Sequence, residues 1–281
     1  MFGASFDYYK ADSVEEAIDL LGKHEGALLL AGGHSLIPMM KLRLASPSAV
    51  IDIGRISELR GIHEDGGTVR VGALTTHRDI AASSELHRSG AVLAEAAAAI
   101  GDPQVRNFGT IGGNLMHADP ASDLPAAALV LDATVVLSGP RGERRLSLEE
   151  FHVDLMTTAA EPDEMLTAVE IPELPSGTVS RYLKTEHPAS GYAVCGAAAV
   201  GRVEGKGLCR DARLAFNGVA TTPFRHDVSA LVGSKATDEA IEQACRSIDV
   251  PEPLGDEFAS GEFRVELARV YGSRALREAL R

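Results

Sequence analysis

The chain has 281 residues, enough for one large or two moderate domains around an apolar interior. With 45% hydrophobic and 24% charged residues it has a globular composition, and a formal net charge of −13 argues against nucleic-acid binding, which needs a basic face. Three widely spaced cysteines, Cys195, Cys209 and Cys245, form no Cys-x-x-Cys pair, which argues against an iron–sulfur cluster or structural zinc held by this chain alone. The N-terminal residues carry no basic-then-apolar leader pattern, and Asp132 interrupts the best apolar run, 124–137. These features predict a cytoplasmic protein with reduced thiols and no membrane span.

In chain order, residues 6–9 are strand-like, and Ser13-Val14-Glu15-Glu16 is a capping box opening a helix through Leu21. Residues 27–30 read as a short buried strand running into Gly32 and Gly33, followed by a helix over about 36–44 and a strand at 50–53. A strand at 68–71, an N-cap at Thr76 and an alanine-rich helix over about 91–100 come next. The stretch 102–123 is so dense in Gly, Pro, Asn and Asp that little regular structure is expected, and such stretches are usually functional. A strand at 133–138, a turn at 139–142, a second capping box at Ser147-Leu148-Glu149-Glu150 and a strand at 166–171 complete this part.

Pro172, Pro175 and Gly177 mark a boundary, giving domains 1–175 (lobes about 1–56 and 57–175) and 176–281. Beyond it lie strand-like runs at 180–184, 193–203 and 213–217, then helices over about 237–248 and 264–280. The layout is α+β.

Two glycine-rich segments concentrate the chemistry. In Leu30-Ala31-Gly32-Gly33-His34-Ser35-Leu36 a strand feeds two glycines, a serine able to cap, and a helix. Missing side chains let phosphates lie against backbone N–H groups there. Gly109-Thr110-Ile111-Gly112-Gly113-Asn114 repeats the device, with Thr110 and Asn114 adding short polar side chains. Neither G-x-G-x-x-G nor G-x-x-x-x-G-K-[S/T] occurs, so the usual NAD and NTP-hydrolysis signatures are missing. His117, Asp119 and Asp123 lack a coordination spacing, so no metal site is expected, and Ser35 has no His-and-acid partner motif, so no catalytic residue is assigned.

With Leu36-Ile37-Pro38-Met39-Met40-Lys41 after the first segment and Leu115-Met116-His117-Ala118-Asp119-Pro120-Ala121-Ser122-Asp123-Leu124-Pro125 after the second, the chain resembles the FAD-binding medium subunit of the carbon monoxide dehydrogenase and xanthine dehydrogenase (molybdenum hydroxylase) family over essentially its whole length. The resemblance implies a two-part FAD-binding domain of the PCMH type, a βαβ lobe plus a larger mixed lobe, followed by a smaller α+β domain with an antiparallel sheet and helices. It implies non-covalent FAD. Leu30, Ala31, Gly32, Gly33, His34, Ser35 and Leu36 would wrap the pyrophosphate, and Thr110, Gly113 and Asn114 would complete the cradle. Ile100 would line an apolar wall, Asp123 (with Ser122) would accept from a sugar hydroxyl or the adenine end, and Leu166 would meet the adenine region. Lys184 would approach the flavin ring and raise its potential, with Tyr192 in the loop that gates access to it.

In such enzymes the molybdopterin cofactor sits in a large subunit and two iron–sulfur clusters in a small one, so the resemblance also implies both partners, as a dimer of heterotrimers. This chain departs from the family at His187, where relatives often carry Arg, and at Gly191, where an acidic residue often precedes the aromatic. Two other readings stand beside this one: a self-sufficient FAD-dependent oxidoreductase with its own small-molecule substrate, and a non-catalytic scaffold that kept the fold.

Overall fold

A computed structural model describes residues 3–205 and 207–281. Its first sheet is three short parallel strands in the order β1-β3-β2, built from β1 (Asp7–Lys10), α1 (Val14–Lys23), β2 (Leu28–Leu30), α2 (Leu36–Leu42) and β3 (Ala49–Asp52). Ser13 caps α1 by accepting from the Glu16 N–H, but the Glu16 carboxylate returns to the Asp12 N–H rather than to Ser13. Only half of the expected capping box therefore forms. The strand read as buried at 27–30 is a half-exposed edge, with Leu28 42% accessible, because β3 occupies the centre and β2 borders open space.

The second sheet is antiparallel, order β4-β5-β10-β6-β7, from β4 (Ile62–Asp65), β5 (Thr68–Gly72), β6 (Thr134–Gly139), β7 (Gly142–Ser147) and β10 (Met165–Pro172). Between β5 and β6 run six helices: α3 (His77–Ala82), α4 (Ser84–Ser89), α5 (Ala91–Ala99), α6 (Pro103–Phe108), α7 (Ile111–His117) and α8 (Leu124–Val130). After β7 come α9 (Leu148–Phe151), opened by the full Ser147/Glu150 capping box, and the ribbon of β8 (His152–Asp154) and β9 (Thr157–Thr158).

The expectation of little regular structure over 102–123 is corrected by α6 and α7. Asp102 caps α6 through the Val105 N–H with Pro103 in the first turn, and Thr110 caps α7. Gly112 and Gly113 cost α7 helix propensity. Burial overrides that cost, since a Cβ on Gly112 would stand 2.7 Å from the Ala73 Cβ. The strand at 68–71 and the Thr76 cap appear as β5 and the start of α3, whereas β4, the helices α4 and α8, the strand β7 and the short β8–β9 ribbon were not resolved by periodicity, because they are short or, like α8, buried on every side.

The third sheet is an antiparallel meander of β11 (Thr178–Glu186), β12 (Ala193–Glu204), β13 (Leu208–Asn217) and β14 (Phe224–His226), followed by α10 (Asp238–Arg246) and α11 (Gly261–Ala279). Strand alternation divides β12 between two cores. Ala198 and Val200 join the core shared with α5 and α8, whereas Ala197 and Ala199 join the core under α11. This explains its uninterrupted apolar run of small residues. Small size also lets α11 press on the sheet, where a Cβ on Gly201 would lie 2.6 Å from the Ala279 oxygen.

Candidate cofactor site

A cavity of about 1150 Å³ opens between the first sheet and the second. It exceeds the roughly 300–1,000 Å³ of ordinary small-molecule pockets, which suits a dinucleotide-sized ligand. One wall is the β2–α2 turn; the other is the α6–α7 corner with α5, β10 and the β11–β12 loop.

The β2–α2 turn contributes Ala31, Gly32, Gly33, His34, Ser35 and Leu36 to the lining. Among the described residues, the N–H groups of these six donate to no protein acceptor. Unpaired backbone donors are rare in folded proteins, and a consecutive run of them is an anion-binding nest. Gly33 sits at φ +73°, in the left-handed region that turns successive amides to one side. The Ser35 hydroxyl makes no capping bond to α2, contrary to the expectation that it caps. The residue lines the cavity, and its hydroxyl does not serve the helix. Leu30 does not line the cavity; its side chain packs beneath Gly33.

The α6–α7 corner differs. Thr110 Oγ1 accepts from the Gly113 N–H at 3.2 Å, while the Ile111, Gly112 and Asn114 amides donate to Thr75, Ala73 and Thr110 oxygens. These amides are spent inside the protein, so Thr110 and Gly113 supply shape rather than donors. Asn114 keeps its amide nitrogen free, because Ser122 Oγ donates to its Oδ1 at 2.7 Å. The two walls touch at Gly32, where a Cβ would stand 2.0 Å from the Phe108 oxygen. His34 reinforces the joint, its ring centroid 5.7 Å from that of Phe108.

Ile100, Ser122, Asp123, Leu166 and Tyr192 all line the cavity. Asp123 is 4% accessible, and burial pushes its carboxyl above the usual carboxylate range against the opposing pull of Lys184 and Tyr182. Tyr182 Oη donates to Asp123 Oδ1 at 2.7 Å, and the Lys184 ammonium lies 3.2 Å from both carboxylate oxygens. The remaining Lys184 hydrogens go to the carbonyls of Ala99 and Gly191, each at 2.7 Å.

This arrangement gives Lys184 a bracing role within the protein. It does not line the cavity, and its three donors are consumed. It holds Asp123, the end of α5 and the β11–β12 loop together. At the mouth, Gly191 sits at φ +71°, a conformation that favours glycine, with Gly101 beside it. His187 braces the same loop. Its Nδ1 accepts from the Ala189 N–H, and its ring meets Phe258 edge-on at 4.5 Å.

Three residues escaped the sequence reading. Tyr182 and Asn217 lie behind Asp123, with Tyr182 Oη 3.2 Å from Asn217 Oδ1. Gly196 leaves room for them, because a Cβ there would be 2.2 Å from that phenol. The signal was present: Tyr182 is two residues from Lys184 on one strand, hence on the same face. His77, 3% accessible, also lines the cavity. Burial, with a smaller contribution from nearby His34, lowers it to about 4. Nothing in its sequence context marks it.

These features fit FAD: a run of free amides for a diphosphate, a cavity of dinucleotide size, and a close backbone approach that a side chain at Gly32 would abolish. Comparison with known proteins agrees. Residues 4–174 match the family model of the FAD binding domain in molybdopterin dehydrogenase, and residues 180–279 that of the CO dehydrogenase flavoprotein C-terminal domain. The carbon monoxide dehydrogenase medium chain of Hydrogenophaga pseudoflava is 40% identical, covering 99% of this chain and 98% of its own. The glyceraldehyde dehydrogenase medium chain of Sulfolobus acidocaldarius is 34% identical over 99% of each.

Among solved structures, carbon monoxide dehydrogenase from Hydrogenophaga pseudoflava superposes with a TM-score of 0.95 at 40% identity, covering 99% of this chain and 98% of that one. Quinoline 2-oxidoreductase from Pseudomonas putida gives 0.93 at 29% identity, covering 100% and 98%. The chain therefore belongs to the family of FAD-binding domains of molybdopterin dehydrogenases, carried through to the CO dehydrogenase flavoprotein C-terminal domain.

Proposed function

We propose that this chain is the FAD-binding electron-transfer subunit of a heterotrimeric molybdenum hydroxylase. It would accept electrons from two iron–sulfur clusters in a small subunit and pass them to an external acceptor, while a large subunit oxidises the substrate at a molybdopterin cofactor. The complex would be a cytoplasmic dimer of heterotrimers. The domains are assigned as 1–175 for FAD binding and 176–281 for the C-terminal flavoprotein domain. The observation that carries the reading is the run of six unpartnered amides from Ala31 to Leu36 beside the cavity. Relatives named as medium chains or subunits of dehydrogenases favour a subunit over a self-sufficient oxidoreductase.

FAD, when bound, supplies a carrier that takes electrons singly and releases them in pairs. The protein's part is to hold and orient it. The β2–α2 amides and the Ser35 hydroxyl bind the diphosphate, and the free Asn114 amide nitrogen and the Asp123 carboxylate address hydroxyls. Ile100 and Leu166 supply apolar walls, and Tyr192, 46% accessible, stands at the mouth. Lys184 acts one step back by fixing Asp123 and the Gly191 loop.

The purified chain should be yellow, carry FAD rather than FMN, and copurify with molybdenum and iron when expressed with its partners. Failure to retain or rebind FAD would overturn the reading; full turnover of a substrate by the chain alone would favour the self-sufficient oxidoreductase.

A further inference from the structure

His77 opens α3 and presses its ring against Gly109, where a Cβ would lie 2.7 Å from its Cδ2 and Nε2. Gly109 in turn abuts Gly32, so the imidazole sits one residue behind the point where the two walls of the cavity meet. Its Nδ1 is sealed in protein with no hydrogen-bond partner. Its Nε2 is not sealed, no group among the described residues engages it, and the residue lines the cavity.

A neutral imidazole carries one N–H and one lone pair. A buried orphan N–H is rarer than an orphan acceptor, so the favoured tautomer leaves the lone pair on Nδ1 and the hydrogen on Nε2. An enclosed ring is thus held with a donor open to the cavity near the β2–α2 turn, with no acceptor among the described residues to receive it.

We infer that His77 is a further anchor for the diphosphate of the proposed cofactor, donating from Nε2 to a phosphate oxygen and taking up a solvent proton as the anion binds. The inference rests on the FAD reading. The charged groups on the elements packed around His77 are Arg78 and Asp79 on α3, Glu95 on α5, Asp102 and Arg106 on α6, and His34 on the β2–α2 turn. Of these only His34 acts on it electrostatically, and it opposes the charged form. A bound diphosphate supplies the missing counter-charge, so protonation and binding favour one another.

The test uses the full chain stripped of flavin and titrated calorimetrically with FAD and with ADP, in buffers of differing ionisation enthalpy. Between about pH 4, the lowered value in the free protein, and about pH 6.5, the ordinary histidine value that a neighbouring diphosphate restores, affinity for both ligands should fall as pH rises, with net proton uptake on binding. His77→Phe, which removes donor and charge, should weaken both ligands roughly tenfold to a hundredfold and flatten the profile. His77→Gln keeps an N–H but cannot titrate; its affinity should lie between the two, with an equally flat profile. Wild-type binding without proton uptake, together with an unchanged affinity in His77→Gln, would overturn the inference while leaving the FAD assignment standing. Should His77→Phe not fold, the wild-type proton count and His77→Gln decide alone. No binding of FAD to the wild type at any pH would overturn both.

Discussion

The two glycine-rich segments read alike in the sequence and behave differently in the fold. At the β2–α2 turn the amides from Ala31 to Leu36 have no acceptor among the described residues. At the α6–α7 corner the amides of Ile111, Gly112, Gly113 and Asn114 all have one. The first glycine pair keeps backbone available to a ligand; the second brings elements together, Gly112 against Ala73 and Gly109 against His77. A glycine cluster therefore signals close backbone approach, and only the hydrogen-bond ledger says whether the approaching group is ligand or protein.

The largest expected effect comes where the two segments meet. In Gly32→Val the new Cβ would coincide with the Phe108 carbonyl, displacing one wall of the cavity from the other. A backbone clash in packed surroundings costs about 3 kcal/mol or more, and FAD retention should vanish with it. Flavin content and urea unfolding of the purified variant report both effects. Normal FAD occupancy would break the picture of a joint closed at Gly32.

Acidification probes the same joint through His77, lowered to about 4 by burial. An unfolded histidine titrates near 6.5, so between those values the unfolded chain holds more protons than the folded one, and stability is lost as pH falls through the window. For His77 alone the loss is at most about 3 kcal/mol. Carboxylates held low, such as Glu164 beside Arg144, also lose stability in acid. The measurement is therefore the difference between flavin-free wild type and His77→Gln unfolded in urea at neutral and acidic pH. Parallel pH dependences in the two would mean that His77 is not held neutral by the fold.

A smaller effect is expected behind Asp123. Tyr182→Phe removes the hydrogen bond to Asp123 Oδ1 while leaving Lys184 in place. Losing one partner of a buried charged group costs about 2 kcal/mol. Chemical denaturation of the variant checks this, and unchanged stability would mean that Lys184 alone suffices to hold the carboxylate.

Most of the larger elements were legible because their signals are local. Ser13, Thr76 and Ser147 mark helix starts, the strand-like run at 180–184 lies within β11, and Pro172, Pro175 and Gly177 punctuate the chain between β10 and β11. The stretch 102–123 was misjudged because its breakers sit in caps and close contacts, where Asp102, Pro103 and Thr110 start helices rather than prevent them. Fourteen of the sixteen residues expected at the cofactor site do line one cavity; Leu30 and Lys184 do not. The bracing contacts of Lys184 were not legible, because its partners, Asp123, Ala99 and Gly191, lie far from one another in sequence and meet only in the fold. For the same reason no sequence pattern singled out His77, whose burial depends on helices that follow it.

The smallest pair of changes isolates the difference between the two segments most cleanly. Thr110 caps α7 through the Gly113 N–H, so Thr110→Ala should destabilise the protein by about 1 kcal/mol. Ser35 occupies the corresponding position before α2 but caps nothing, so Ser35→Ala should leave unfolding unchanged within about 0.5 kcal/mol. Its hydroxyl is instead available to a phosphate oxygen, and its loss should weaken FAD binding by roughly three- to tenfold. Thermal unfolding of the flavin-free variants, followed by FAD titration, separates the two roles. A destabilised Ser35→Ala with unchanged FAD affinity would mean that the β2–α2 turn, like the α6–α7 corner, spends its polar groups on the fold.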